Sequence, residues 1–362
     1  MVKYQEPLEL MGVPGSPYTR KMLALLRYRR IRHHLLPGSR HRVATDGDGD
    51  RYRARPMPKV PLLPTFYGRD ENGEEVAVCD STPLIREFES LSADRSVIPA
   101  APAFGLINSI LEDYGDEWLT KAMFHYRWTY EPDIKKAGQM LPRWNNITAS
   151  DELMAERSQE ISDLQISRLR YVGSNPVTRT TIEDSFQRFL GLLDNHLNSF
   201  AFLLGKRPAS CDFAVYGQLT CLALFDPTSQ QLVLEHAPRV HAWTEVMEDL
   251  SGFELMDNDW IINSEADTEL PPSLSAILKE VGAVYVPYLL ANAKAAKNQQ
   301  QQFKTTIADE DWEQQTFSHQ YKCLQWLLNE RAELSNGQGA HFDLLIGNTE
   351  ISHLFKQIPG LS

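Results

Sequence analysis

The chain opens with a short alternating segment followed by a helical apolar stripe. Residues 7–13 alternate as a half-buried strand does, and the Pro-Gly pair at 14–15 ends that pattern. Ser16 is a favoured helix N-cap and Pro17 suits the first helical position. Leucines and a methionine then recur at helical spacing down to about Arg30. We therefore predict a strand that leads directly into a helix.

Three more apolar runs follow within the first ninety residues. Residues 31–36, 60–67 and 75–78 have the length and composition of strands, and the last two flank a turn-forming segment typical of a hairpin. Residues 80–89 predict a second helix that begins beside a proline. The order strand, helix, strand, strand, strand, helix predicts a compact α/β layer with a parallel first pair.

Beyond residue 92 the pattern changes to helical spacing. Residues 92–105, with two prolines, resemble a linker, and residues 251–272 mark a further change in composition. The predicted domains are 1–92 (α/β), 104–252 (all helical) and 253–362 (a helical C-terminal extension). The helices are predicted at residues 106–130, 151–171, 181–203, 211–224, 239–250, 273–297 and 311–334.

Composition limits the class of protein. The 362 residues are 42% hydrophobic, which allows two or three cored domains, and we expect an intracellular protein with no membrane span. The four cysteines are scattered, without a Cys-x-x-Cys pair or zinc-type histidine spacing, so no metal site is predicted. The acidic run at 46–50 suggests a calcium loop, but Arg51 and Met57 stand where its glycine and glutamate belong.

Charge is distributed unevenly. Residues 1–60 hold 13 Lys and Arg against 5 Asp and Glu, a balance of +8, while the whole chain carries −12 and the rest therefore −20. The basic run at 27–34 is open to interpretation as a nucleic-acid patch, a solvated face or a docking surface for a small anion. Nucleic acid is disfavoured because the acidic remainder would repel a long polyanion.

Five segments, in this order, resemble the glutathione transferase superfamily. That resemblance covers roughly residues 7–252 and implies a thioredoxin-like N-terminal domain, an all-helical glutathione-transferase-type domain and, here, an unusual extension. The family does not need the last hundred residues, which would either cover the mouth of the site or bind a partner. The segments are residues 16–21 (Ser-Pro-Tyr-Thr-Arg-Lys), 59–61 (Lys-Val-Pro), 80–81 (Asp-Ser), 205–213 (Gly-Lys-Arg-Pro-Ala-Ser-Cys-Asp-Phe) and 238–247, which includes Trp243.

The resemblance assigns catalysis to Ser16. Its place at a helix N-terminus suits an anion, and its hydroxyl is able to donate to a thiolate. An ordinary N-cap role for Ser16 remains open, and Tyr18 is a rival donor in the same turn or a wall of the glutathione site.

Glutathione itself is the cosubstrate that the resemblance implies, without a metal. Pro61 matches the family's cis-proline, so that the backbone of Val60 would pair with the peptide. Asp80 and Ser81 match the pair that holds the γ-glutamyl end. Lys59 is the best nearby cation for the glycyl carboxylate, with Arg20 as the second choice. A trans proline at a strand edge and simple helix capping by residues 80–81 are the plainer structural alternatives.

The helix predicted at 106–130 would supply the second-substrate pocket. Tyr114, Trp118 and His125 fall on one stripe of that helix and combine apolar area with polar tips. The implied function is conjugation of glutathione to an apolar electrophile, of the kind used in detoxification, by a cytoplasmic homodimer; a glutathione-dependent isomerase, dehalogenase or ether-cleaving enzyme fits equally well. The alternative is a non-catalytic relative that serves as a binding or scaffold module.

Overall fold

The N-terminal part of the chain forms a four-stranded mixed sheet. The computed structural model describes residues 2–37, 55–91, 94–256, 259–347 and 349–356, so the acidic run at 46–50 lies outside the described residues. The strand order is β2-β1-β3-β4, with β1 and β2 parallel and the other two pairs antiparallel. The strands are β1 (Leu8–Gly12), β2 (His33–Pro37), β3 (Thr65–Arg69) and β4 (Glu75–Val78), with helices α1 (Pro17–Tyr28) and α2 (Ser81–Glu89).

This topology confirms the predicted thioredoxin-like α/β layer. Leu10 of β1 is fully buried and pairs with Leu35 on one side and Phe66 on the other. The predicted strand at 60–67 was placed too early, because residues 60–62 form an exposed loop and β3 begins at Thr65. Pro61 and Pro64 explain the shift, since neither proline has an N–H to donate to a sheet ladder.

A largely helical region comes next, as predicted. Its first helix begins at Pro102, inside the predicted linker, and passes through a π-helical turn at Tyr114–Trp118 instead of running straight. Two of its helices, at Glu131–Arg143 and Pro227–His236, were not predicted. The helices are α3 (Pro102–Asp113), α4 (Leu119–Thr129), α5 (Glu131–Arg143), α6 (Asp151–Ser167), α7 (Leu169–Val172), α8 (Arg179–His196), α9 (Ser210–Leu222), α10 (Pro227–His236) and α11 (Pro238–Val246).

The two parts meet where α1 crosses α9. A Cβ atom at Gly217 would lie 2.7 Å from the carbonyl oxygen of Pro17 and 3.1 Å from the Cβ of Lys21. Any larger residue at Gly217 would therefore push the start of α1 away from the helical region. The position of the α1 N-terminus thus depends on the absence of a side chain here.

Three arginines of the basic run at residues 27–34 pair with other segments of the protein. Arg27 donates to Glu248 at 2.6 Å, the buried Arg29 pairs with Glu89, and Arg30 donates to the carbonyl of Ser251. These contacts attach the basic end of α1 to α2 and to the segment after α11. These three arginines therefore have partners within the protein, while Arg30 and Arg32 stay exposed.

The C-terminal extension is mixed, not purely helical. Residues 311–334 were predicted as one helix, but they contain a strand and then a helix. In residues 310–315 only Trp312 and Gln314 are buried, and this spacing of two residues is the period of a strand. The polar stretch before them forms the partner strand. The elements are α12 (Pro272–Lys297), β5 (Gln302–Ile307), β6 (Glu310–Gln315), α13 (Ser318–Glu333), α14 (Asn336–Ile346) and a short 3-10 helix (Glu350–Phe355).

Helix α12 is long and apolar enough to cross a membrane, by length and composition alone. This helix leaves the prediction of no membrane span untested. More than half of its apolar window, 56%, is buried inside the protein, where Tyr285 and Tyr288 pack against the helical region. A core helix of a globular domain has the same properties, so this helix is weak evidence for a membrane.

Candidate functional site

Ser16 caps α1 and faces the loop that leads into β3. Its Oγ accepts a hydrogen bond from the N–H of Thr19 at 3.2 Å, and its hydroxyl donates to the carbonyl of Leu63 at 3.4 Å. The capping role left open by the sequence is therefore present. The bond to Leu63 is long, so a ligand anion placed at the helix N-terminus would compete well for the same proton.

The cis-proline next to this serine is Pro64, not Pro61. Among the described residues, cis peptide bonds occur at Glu6–Pro7 and Leu63–Pro64, and the Val60–Pro61 bond is not one of them. The prediction for Pro61 was wrong because two prolines precede β3 and motif spacing alone does not choose between them. The residue whose backbone lies beside Ser16 is consequently Leu63.

Val60 and Lys59 lie in the exposed loop before that proline. The carbonyl of Val60 already accepts from the N–H of Leu62 at 3.0 Å and from the thiol of Cys79 at 3.1 Å. Val60 is thus unsuited to pair with a peptide, which corrects the prediction. Lys59 is exposed and remains a candidate for a carboxylate at the edge of the site.

Tyr18 is tied to the helical region. Its hydroxyl donates to the carbonyl of Asp116 in the π-helical turn at 2.8 Å. Burial, with the nearby carboxylates of Glu117 and Asp116, raises the pKa of Tyr18 well above its usual range. The phenol therefore stays protonated and bonded to the backbone, which makes Tyr18 a structural residue and leaves Ser16 as the hydroxyl that faces the candidate site.

Asp80 and Ser81 lie at the start of α2, as predicted. Asp80 has φ of 93°, a conformation that costs roughly 1–3 kcal/mol in a non-glycine residue and is frequent at binding sites. Burial raises the pKa of the Asp80 carboxyl, and the nearby His319 and Lys21 oppose that effect. Ser81 is buried, and its Oγ accepts from the ammonium of Lys21 at 3.1 Å.

Lys21 is the centre of a buried polar network that sequence analysis missed. Its ammonium lies 2.9 Å from Glu112 Oε1 and 2.6 Å from Asp116 Oδ2, and all three side chains are at most 8% exposed. Ser210 adds a 2.6 Å hydrogen bond to the other oxygen of Glu112. The network joins the start of α1, the start of α2 and the middle of the helical region around one cation.

The pKa values of the three charged groups in this network shift in different directions. Burial opposes the charge of Lys21, but Asp116 and Glu112 outweigh it and raise the pKa of the ammonium. Burial raises the pKa of Asp116 to about 7, although Lys21 acts in the opposite direction. For Glu112, the attraction of Lys21 overcomes burial and the pKa is lowered. Ser81 is therefore held by a lysine that stays charged at neutral pH.

The predicted second-substrate pocket is filled. Tyr114 is fully buried against Phe189 and Tyr285, and Trp118 packs on the rings of Tyr288 and Trp312 at centroid distances of 5.5 and 5.3 Å. The small gap beside Trp118 is too narrow to admit a water molecule. The prediction of a pocket here was wrong because aromatic residues of the C-terminal extension cover this stripe.

His125 is also a core residue. Its Nδ1 lies 2.8 Å from the hydroxyl of Ser174, and its Nε2 lies 2.9 Å from Glu183 Oε1, which also accepts from Tyr130. Burial lowers the pKa of His125, with Glu183 acting against that effect. His125 therefore fastens α4 to α8 and does not line a second-substrate pocket.

An open cavity of about 430 Å³ lies along α5, and one of its lining residues, Trp144, contacts the loop that carries Ser16. Trp144 lines it and also covers Gly15, where an added Cβ would lie 2.2 Å from the Trp144 ring. Arg127 fixes the same loop by donating to the carbonyl of Gly15 at 3.2 Å. The other lining residues are Pro132, Lys135, Lys136, Gln139, Met140 and Phe225.

Comparisons with known proteins agree with this N-terminal architecture. Residues 10–96 match the sequence profile described as the glutathione S-transferase N-terminal domain. No curated protein sequence matches the chain. Residues 10–96 therefore carry the N-terminal domain of the predicted superfamily, while the assignments of the remaining site residues stay predictions.

Solved structures of glutathione transferases resemble part of the chain at low sequence identity. One is a family member from Pseudomonas fluorescens with two glutathione molecules bound, 14% identical over 66% of this chain and 87% of that one, with a TM-score of 0.37. Another, from Methylobacterium radiotolerans in complex with glutathione sulfonate, is 14% identical over 67% and 90%, with a TM-score of 0.38. A tau-class enzyme from mango is 14% identical over 66% and 87%, with a TM-score of 0.36.

Proposed function

We propose that this protein, whose residues 10–96 form a glutathione S-transferase N-terminal domain, binds glutathione and transfers its thiolate to an electrophile. One observation carries the proposal: the hydroxyl of Ser16 caps α1 and lies 3.4 Å from the carbonyl of Leu63, the residue before a cis-proline. A hydroxyl, a helix N-terminus and the backbone carbonyl of Leu63 thus converge on one place.

The chemistry of the thiol fits this arrangement. The thiolate is the nucleophilic form, and a helix N-terminus with a hydroxyl donor lowers the pKa of a bound thiol. Ser16 would exchange its weak bond to Leu63 for a stronger one to the sulfur anion. The rate would then come from stabilising the thiolate and from holding the two reactants together.

The rest of the tripeptide would have candidate partners in the loop before β3 and at the start of α2. The backbone of Leu63, in place of Val60, would pair with the peptide as an added strand does. Ser81 and the amides at the start of α2 would hold the γ-glutamyl carboxylate, with Asp80 near the ammonium. Lys59 would reach the glycyl carboxylate from the exposed loop.

The electrophile needs a place other than the filled stripe of Tyr114 and Trp118. The cavity along α5 supports such a place because it presents the rings of Trp144 and Phe225, and Trp144 also contacts Gly15 next to Ser16. Lys136 lies over the Phe225 ring at 4.7 Å. An apolar or aromatic electrophile with an anionic group matches this lining.

By resemblance to the glutathione transferase superfamily, we also propose that the protein is a cytoplasmic homodimer.

A second candidate is a non-catalytic glutathione-transferase-fold protein that acts as a binding or scaffold module. It is favoured by Trp312, which seals the stripe where the sequence pattern placed a substrate pocket. The two candidates differ in whether glutathione reacts at the site.

Calorimetric titration with glutathione, followed by conjugation to an aryl halide, tests both candidates. We expect the native protein to bind and conjugate, and Ser16→Ala to keep binding while kcat falls by about 10²-fold. Ser150→Ala is the matched control, because Ser150 caps α6 in the same way, accepting from Leu153 N at 3.3 Å. Absence of conjugation, with or without binding of glutathione, would reject the transferase and favour the scaffold module.

A further inference from the structure

Two side chains of α13 meet a carboxylate of the π-helical turn. His319 and Cys323 are four residues apart and therefore lie on one face of the helix. Glu117 Oε1 lies 3.6 Å from His319 Nε2, and one ligand atom from each of Glu117, His319 and Cys323 lies within 4.8 Å of the other two. Glu117 and Cys323 are buried, and His319 is partly exposed. The three groups thus converge from two regions that are about 200 residues apart in sequence.

The three donors form a recognised zinc ligand set. Zinc is bound by cysteine sulfur, histidine nitrogen and carboxylate oxygen, almost always at four positions arranged as a tetrahedron. A thiolate ligand together with imidazole disfavours magnesium and calcium, which take oxygen ligands. Three protein ligands leave one position for water or a neighbouring carboxylate.

The surroundings hold the ligands in place. Gln320 donates to Glu117 Oε2 at 2.8 Å and accepts from the hydroxyl of Tyr288, so Glu117 is oriented with Oε1 toward His319. The His319 ring makes edge contacts with Phe317 and Trp326 at centroid distances of 6.3 and 6.0 Å. Partners of this kind orient metal ligands and tune their affinity.

The charge around the cluster also favours a cation. The carboxyl groups of Asp113 and Asp80 lie near Cys323 and His319, respectively. Ligation would use the deprotonated thiol and the neutral imidazole, so the three ligands together would carry negative charge from Cys323 and Glu117. A divalent ion supplies the missing positive charge.

We propose that Glu117, His319 and Cys323 bind a zinc ion that fastens the C-terminal extension to the helical region beside Asp80. The sequence prediction of no metal missed this site because Glu117 is remote in sequence and His-x3-Cys alone is not a zinc motif. The site explains how an extension of about a hundred residues is anchored next to the start of α2. The proposal does not depend on glutathione binding.

Cobalt substitution of the full-length protein tests the proposal. Metal-free protein is titrated with Co²⁺ in the absence of glutathione, whose own thiol binds such ions. We expect one equivalent to produce a near-ultraviolet thiolate-to-cobalt charge-transfer band, and Zn²⁺ to displace it and raise the thermal midpoint. Cys323→Ser should abolish the band, and His319→Gln should weaken Zn²⁺ binding by at least about 10-fold.

Two control variants separate this site from other ligands. Cys79→Ser removes a thiol in the N-terminal domain, and His353→Gln removes a half-exposed histidine whose pair with Glu350 lies elsewhere. Both should bind Co²⁺ and Zn²⁺ as the native protein does. The proposal is overturned if the native protein gives no thiolate band, if Cys323→Ser keeps it, or if Cys79→Ser loses it. Circular dichroism checks the fold of each variant; should Cys323→Ser not fold, native-like Zn²⁺ affinity of folded His319→Gln overturns the site.

Discussion

The ammonium of Lys21 lies 2.6 Å from the Asp116 carboxylate, which joins α1 of the N-terminal domain to the π-helical turn of the helical region. The same lysine reaches Ser81 at the start of α2. A break in the regular hydrogen-bonding of a helix often coincides with a functional site, and here it presents Asp116 and Glu117 to different partners. The candidate glutathione site thus rests on an interdomain ion pair.

Replacing Lys21 with methionine is expected to destabilise the protein by about 3–5 kcal/mol. The substitution keeps most of the volume but leaves the carboxylates of Glu112 and Asp116 buried without their cation. Urea unfolding at pH 7 measures the loss. Lys279→Met, on an exposed position of α12, is the control and should change stability by less than about 0.5 kcal/mol. Equal effects of both substitutions would contradict the structural role of Lys21.

Tyr18→Phe distinguishes the two hydroxyls near the candidate site. The variant loses only the bond to the Asp116 carbonyl, so we expect a destabilisation of about 1–3 kcal/mol and unchanged conjugation. The measurement is kcat/KM for glutathione beside that of Ser16→Ala. A large drop in kcat for Tyr18→Phe, with native activity in Ser16→Ala, would reverse the assignment of the two residues.

The buried ammonium of Lys121 should make the stability of the protein depend on pH. Burial lowers the pKa of its ammonium to about 7, and Glu117 opposes this. The pKa of Lys121 is lower in the folded chain than in the unfolded one. Its contribution to the free energy of unfolding is therefore at its full value above about pH 10.5 and is lost as pH falls through about 7. The native protein should gain stability relative to Lys121→Met as pH rises between these limits, by up to about 1.4 kcal/mol per pH unit.

Chemical unfolding from pH 7 to 9, with chelator present, measures that slope. The ring of Tyr288 lies 4.0 Å from the Lys121 ammonium and favours the charged form, which opposes burial. Identical pH profiles for the native protein and Lys121→Met would show that the aromatic contact cancels the cost of burial. Lys279→Met again serves as the control and should keep the native slope.

Trp312→Ala tests the closure of the predicted pocket by the extension. Trp312 is 1% exposed and packs on Trp118 and Tyr288, so its truncation should cost about 3–5 kcal/mol and leave an apolar cavity. Such cavities bind small aromatic molecules, which a titration with benzene would detect. Trp326 is 40% exposed, so Trp326→Ala should neither lower the stability by this amount nor create a benzene site. Native stability in Trp312→Ala would contradict the described core.

The local parts of the candidate site could be predicted, and the remote parts could not. Ser16 and Ser81 lie at helix starts because capping preferences act within a few residues. Pro61 and Pro64 satisfy the same local pattern, and only the fold shows which of them follows the backbone beside Ser16. A lysine inside an apolar helical stripe was a usable signal for Lys21, but its partners Glu112 and Asp116 lie more than ninety residues away.

By itself, the sequence determined the α/β order of the first ninety residues and the helical character of the region after them, because strand and helix periods are properties of neighbouring residues. It also determined that Tyr114 and Trp118 share one face. Only the tertiary structure decided which residues cover that face, since Tyr285, Tyr288 and Trp312 come from a distant segment. Burial and charge pairing depend on contacts between segments that no local pattern records.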